Sequence, residues 1–206
     1  MKLRTWLAAF AVVAMVTGLT GSFNTTGIAE AASSNTAKSK NTKEDPNTYD
    51  EGTIFGIADG FFGQSSKALG KVIQKAFADL GRPNAYIVGD EVSGAIAVGL
   101  RYGDGTITNK TEGTRRVYWK GPSAGFDLGG NASKTFTLVY HLDKLDDIYH
   151  RFPGVDGSVY YIAGVSMNYQ QRGHVILAPI RVGVGLRLGA NVGYLHYTRK
   201  RSWIPF

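Results

Sequence analysis

Arg181 and Arg187 are the side chains whose type and spacing point most directly to chemistry. They occupy odd positions in Ala178–Tyr194, where the even positions read Ala178, Ile180, Val182, Val184, Leu186, Leu188, Ala190, Val192 and Tyr194. Strict period-two alternation makes this β-structure with one apolar face, since no helix keeps that phase. The other face carries glycines and the two arginines. If it lines a barrel interior, each guanidinium needs a buried partner, either a carboxylate such as Asp127 or the anionic head group of a ligand. Pairing within the protein is the simpler of the two. Trp119, Tyr118 and Phe126 supply amphipathic aromatic surface. With Arg181, Arg187 and Asp127 they form the candidate ligand-binding set.

Other chemistries find little support. His141, His150, His174 and His196 lie in four separate elements, without the i, i+4 or H-x-H pairing of a metal centre. No G-x-S-x-G elbow accompanies the serines, and there is no cysteine to act as thiolate nucleophile, zinc ligand or disulfide partner. Asp143, Asp146 and Asp147 lack the alternate spacing and the glycine of a calcium loop. Gly103-Asp-Gly105 is followed by neither Lys-Ser/Thr nor a helix, so it does not read as a phosphate loop. The sequence nominates no catalytic residue, no metal site and no cofactor.

The elements that must position these residues are mostly strands. A single domain accommodates 206 residues, and 27 glycines with 11 tyrosines lean toward β-structure. Residues 1–32 read as a signal peptide: Lys2 and Arg4, an apolar stretch from Trp6 to Val16, and Ala29-Glu-Ala31 as the cleavage motif, with cleavage near Ala31. The apolar segment is shorter than the ~20 residues of a spanning helix, so no transmembrane segment is expected in the mature chain. Residues 33–48 are polar and small and read as a disordered tail. Ser65 or Ser66 caps a helix whose apolar positions are Leu69, Val72, Ile73, Ala76, Phe77 and Leu80; Gly81 ends it and Pro83 prevents its restart.

Strands follow from Ala85 to Tyr102, with a hairpin turn at Gly103-Asp-Gly105, then over Thr106–Thr108 and Thr114–Lys120. Gly121-Pro-Ser123 reads as a turn and Gly130-Asn131 as a loop before a strand at Thr135–Tyr140. Leu142–Phe152 has the spacing of a short helix, and Ser158–Gln170 reads as one Tyr-rich strand. The expected architecture is mainly β: a small curled antiparallel sheet or conical barrel of roughly 8–10 strands, with one amphipathic helix near its N-terminus and one short helix. A formal charge of +7 and a pI near 9.5 suggest anionic partners, yet Lys and Arg are scattered and the densest cluster is Arg199-Lys-Arg201. Nucleic-acid binding is therefore not expected.

Several stretches, taken in order, resemble the EipA family, the envelope integrity protein A group of alphaproteobacteria. They are Phe61-Phe-Gly-Gln-Ser-Ser66, Tyr86-Ile-Val-Gly-Asp-Glu91, Ser93-Gly-Ala-Ile96, Gly99-Leu-Arg-Tyr-Gly-Asp-Gly105 and Val117-Tyr-Trp-Lys-Gly-Pro-Ser123. Gly125-Phe-Asp-Leu-Gly129, Leu138-Val-Tyr140, Gly154-Val-Asp-Gly157, Ile180–Tyr194 and Trp203-Ile-Pro-Phe206 continue the likeness. It covers 49–206 as a single domain. The resemblance implies a small soluble periplasmic protein with a β-barrel-like fold, needed for envelope integrity and stress resistance, and it carries over no catalytic residues. A fainter likeness to the SYLF group of lipid-binding domains, in Trp119–Ser123 and Gly125–Gly129, points to a lipid ligand. The expected function is non-enzymatic binding of an envelope lipid, glycan or protein. The alternatives are an outer-membrane-associated barrel and an enzyme acting on envelope polymers.

Overall fold

The computed structural model describes residues 45–63, 66–183 and 193–202, and only the backbone of 93–98 and 123–132. The signal peptide, most of the expected tail, Arg187 and the closing Trp203–Phe206 lie outside the described residues.

Two helices come first. Glu51–Phe62 (α1) starts at Asp50, whose carboxylate accepts from Thr53 N at 2.8 Å, and stops at Gly63 in the left-handed region. Sequence reading assigned no helix here, because the glycines obscure a stripe of Ile54, Ala58 and Phe62 spaced four apart, all buried. Lys67–Leu80 (α2) is the expected helix, with Ser66 Oγ accepting from Leu69 N at 3.0 Å, Leu69, Val72, Ile73 and Ala76 buried, and Gly81 as C-cap.

The rest of the described residues forms one antiparallel sheet of eight strands. Ala85–Asn109 (β1) and Gly113–Tyr140 (β2) form a hairpin whose turn is closed by Asn109 Oδ1, which accepts from Thr111 N and Glu112 N. Arg151–Pro153 (β3), Tyr160–Ile162 (β4), Val165–Met167 (β5), Gln170–Arg172 (β6), Val175–Val182 (β7) and Tyr194–Thr198 (β8) complete it. The order is β3-β8-β2-β7-β5-β4, with β1 also on β2 and β6 also on β7.

Five readings are corrected. Gly103-Asp-Gly105, Gly121-Pro-Ser123 and Gly130-Asn131 do not turn the chain, because β1 and β2 run through them. The expected strand Ser158–Gln170 is split by Ala163 and Gly164, both at positive φ (44° and 85°), which reverse the chain between β4 and β5. The expected helix over Leu142–Phe152 shrinks to a 3₁₀ turn at Leu145–Ile148, after which Arg151 already pairs in the sheet. Among the described residues the helices are therefore α1 and α2, with this turn where the short helix was expected.

A strand as long as β2 must coil to stay in a small domain. The sheet curls into a half-barrel with both faces covered. Phe136, Leu138 and Tyr140 of β2 and Ala178 and Ile180 of β7 pack under α1 and α2. Their neighbours Val139 and Leu177 point the other way, into a second core with Ile87, Ile107, Val117, Phe152, Leu195 and Tyr197.

The glycines misread as turns serve the curl. A Cβ on Gly105 would lie 2.2 Å from Val88 O, and one on Gly89 would lie 2.3 Å from Asp104 O. The two ends of β1 thus meet backbone to backbone, an approach open only to glycine. Gly105→Ala should destabilise the fold by about 3 kcal/mol or more, since the clash is with main chain. Gly60→Ala, in open space on the exposed side of α1, should instead stabilise by about 0.5–1 kcal/mol. Urea midpoints of the two variants check the contrast.

Candidate functional site

Glu91 sits at the centre of the inner face and is only 1% exposed. Alternation along β1 places Ala85, Ile87, Gly89 and Glu91 on that side, and alternation along β7 brings Leu177, Pro179 and Arg181 to it. Arg181 Nε donates to Glu91 Oε1 at 2.9 Å and its terminal nitrogen to Oε2 at 3.2 Å, a bidentate pair. Trp119 Nε1 of β2 donates to the same Oε2 at 2.9 Å. Arg101 Nε approaches Oε1 to 3.2 Å as an ion pair without hydrogen-bond geometry. The other arm of Arg181 reaches Asn168 Oδ1 at 3.3 Å.

Glu91 and Arg101 stand ten residues apart on one strand, a separation of about 33 Å if it were straight. Their contact means that β1 bends back with this face inside. Burial pushes the Glu91 carboxyl up, but the charges of Arg101 and Arg181 and the bonds from Arg181 and Trp119 outweigh it and hold the group down at about 2. Glu91 is therefore ionised throughout the neutral range and already holds two guanidiniums, which leaves it unsuited to general acid or base work.

A cleft of about 230 Å³ opens on the other side of Trp119. Tyr102 and Tyr118 flank it with Trp119, Val92 lies at its mouth, and Asp90, Asp104, Lys120 and Arg201 set charges of both signs around it. Gly103 makes room for the indole, because a Cβ there would meet the Trp119 ring at 2.1 Å. Trp119 thus divides the ionic cluster from the cleft and belongs to both.

Of the predicted site residues, Arg181, Trp119 and Tyr118 are brought to this region. Arg181 lies on the glycine face and takes its carboxylate from Glu91. Phe126 and Asp127 lie on β2 opposite Ile96 and Ala95, with side chains outside the described residues, as is Arg187. Sequence reading missed Glu91, Arg101 and Tyr102. The signal for Glu91 and Arg101 was phase, since both take the alternation opposite to Val92, Leu100 and Tyr102. The three aspartates after β2 go to different partners: Asp143 to His174, Asp146 to Arg115 and Arg199, and Asp147 to the Lys144 amide. Among the described residues no group of three metal-ligating side chains forms.

A family model described as EipA, envelope integrity protein A, matches residues 47–206. Among solved structures, the crystal structure of a β-barrel-like, uncharacterized protein from Brucella abortus is similar, with a TM-score of 0.71 and 44% identity over 78% of this chain and 99% of that one. Curated proteins provide no match.

The cluster should be visible in acid. A carboxylate with a lowered folded pKa stabilises above its unfolded value of 4.5, and that contribution is lost as pH falls toward about 2. Glu91→Gln should cost roughly 3–5 kcal/mol at pH 7 by leaving buried guanidiniums without their counter-charge. The variant should also lose less stability than wild type between those two pH values, as urea denaturation across the range would measure.

Proposed function

The chain belongs to the envelope integrity protein A family, and on that premise we propose that it is an exported periplasmic protein that supports the envelope by binding, without catalysis, a lipid or glycan in the Trp119 cleft. The observation that carries this reading is the cleft itself. Three aromatic rings converge on a space with charges of both signs at its rim, the arrangement suited to an amphiphilic group. Its volume lies below the ~300–1,000 Å³ of sites that enclose a whole small molecule, so it suits one head group or one sugar ring.

The family indicates an envelope role and no reaction. The apolar leader with its Ala29-Glu-Ala31 motif supports export, and no helix among the described residues is long and apolar enough to cross a membrane. An integral outer-membrane barrel fits less well. Such barrels are apolar outside and polar inside, whereas here the inner face holds Ile107, Val117, Val139 and Leu177 and helices cover part of the outer one.

Native mass spectrometry of the protein recovered from its own periplasm, followed by solvent extraction, tests the reading. The expected result is a chain beginning near Ala31 that carries one bound envelope component, with occupancy reduced at least tenfold in Tyr102→Ala and Tyr118→Ala. A clean apo mass for the wild type, or equal occupancy in both variants, would refute it.

A further inference from the structure

The basic residues that look scattered in sequence gather where β2 and β8 pair, with Arg115 and Arg116 projecting from opposite faces of β2. The register Tyr118↔Thr198 and Lys120↔His196 between β2 and β8 brings Arg115 and Arg116 beside the segment Arg199-Lys-Arg201. Beyond β8, Arg151 of β3 is registered with His196. Two aspartates serve this surface, and each is shared by two arginines. Asp146 Oδ1 accepts from Arg115 at 2.7 Å and faces Arg199 at 2.8 Å, while Asp104 takes Arg116 and Arg201. Five cations, Arg115, Arg116, Arg199, Lys200 and Arg201, thus meet two carboxylates, an excess of three positive charges. Half or more of the Arg116, Arg199 and Arg201 side chains is open to solvent, at 58%, 62% and 56%.

The guanidiniums are laid on phenol rings. Arg199 lies 4.9 Å from the centre of Tyr149, Arg116 and Arg201 each 5.8 Å from Tyr118, and Arg151 5.1 Å from Tyr194. These contacts restrain the cations and reduce the ordering entropy lost when they meet an anionic surface. Arginine and tyrosine are also the side chains that combine an apolar body with a polar end at a lipid head-group layer. His196 senses the same field: burial lowers its proton affinity, and Arg151, Lys120 and His150 lower it further.

We propose that this basic edge, built from the β2–β8–β3 side of the sheet, docks on the surface of a bilayer rich in anionic phospholipid. Its exposed arginines suit a charged surface, and among the described residues neither helix belongs to it, so no recognition helix is offered to a nucleic-acid groove. The docking goes beyond the cleft reading: the two share Tyr118, Asp104 and Arg201, but Arg115, Arg199 and Lys200 lie outside the cleft, so either can fail alone.

The test is flotation of the mature chain with vesicles of phosphatidylglycerol and phosphatidylcholine, against phosphatidylcholine alone, at low and high salt. Binding is expected only to the anionic vesicles and should be released by salt. The variant Arg115→Gln/Arg199→Gln/Lys200→Gln should bind about a hundredfold more weakly, and Lys200→Gln alone about fivefold, from about 1 kcal/mol per basic residue at such a surface. Lys200 is exposed just beyond β8, so the single variant keeps the test open if the triple one misfolds. Tyr102→Ala should bind the vesicles as wild type does. Equal binding to neutral vesicles, Lys200→Gln and any folded triple variant binding like wild type, or tighter capture by duplex DNA than by the anionic vesicles would each overturn the proposal.

Discussion

The curl of the sheet depends on one carboxylate. Glu91 gathers Arg101 from farther along its own strand, Trp119 from β2 and Arg181 from β7, and these can meet only if the sheet closes around them. A buried ion cluster is a weak source of net stability, because desolvation offsets most of the attraction, but a missing partner is costly. Its effect is therefore to specify: a flatter or slipped sheet would strand at least one buried charge. The backbone contact at Gly89 and Gly105 allows that closure sterically, and the Glu91 cluster selects it.

The same closure creates the cleft proposed as the binding site. Because Trp119 is fixed from behind by Glu91 and from the side by Gly103, its ring forms a preorganised wall for the cleft between Tyr102 and Tyr118. The proposed ligand would therefore cost little side-chain entropy on entry. Asp104 lines this cleft and also anchors Arg116 and Arg201 of the basic edge. The inner core, the cleft and the charged exterior are thus joined through a few residues of β1 and β2.

The parts of this arrangement that were legible in the sequence are those governed by local periodicity. The α2 stripe with its Ser66 cap and Gly81 stop, and the phase that sends Arg181 inward, follow from patterns of 3.6 and 2. The resemblance likewise pointed to the right family and to a barrel-like fold. What failed was punctuation. Gly103-Asp-Gly105 has the composition of a turn, yet its glycines answer to Trp119 and Val88, contacts set by the coiling of the whole hairpin. Glu91 was passed over because its significance comes from Arg101 and Arg181, residues that no local window joins to it. The basic edge was hidden for the same reason: only the pairing of β2 with β8 turns two short basic runs into one patch.

From residue 33 onward tryptophan occurs only at 119 and 203, so Trp203→Phe leaves Trp119 as the single reporter of the cleft wall. The most direct measurement is its emission during titration with a lipid and glycan extract of the protein's own envelope. A saturable change that disappears in the added Tyr102→Ala background is the predicted result. An unaltered Trp119 spectrum while a component of the extract stays bound to the protein would contradict the assignment of the cleft as the binding site.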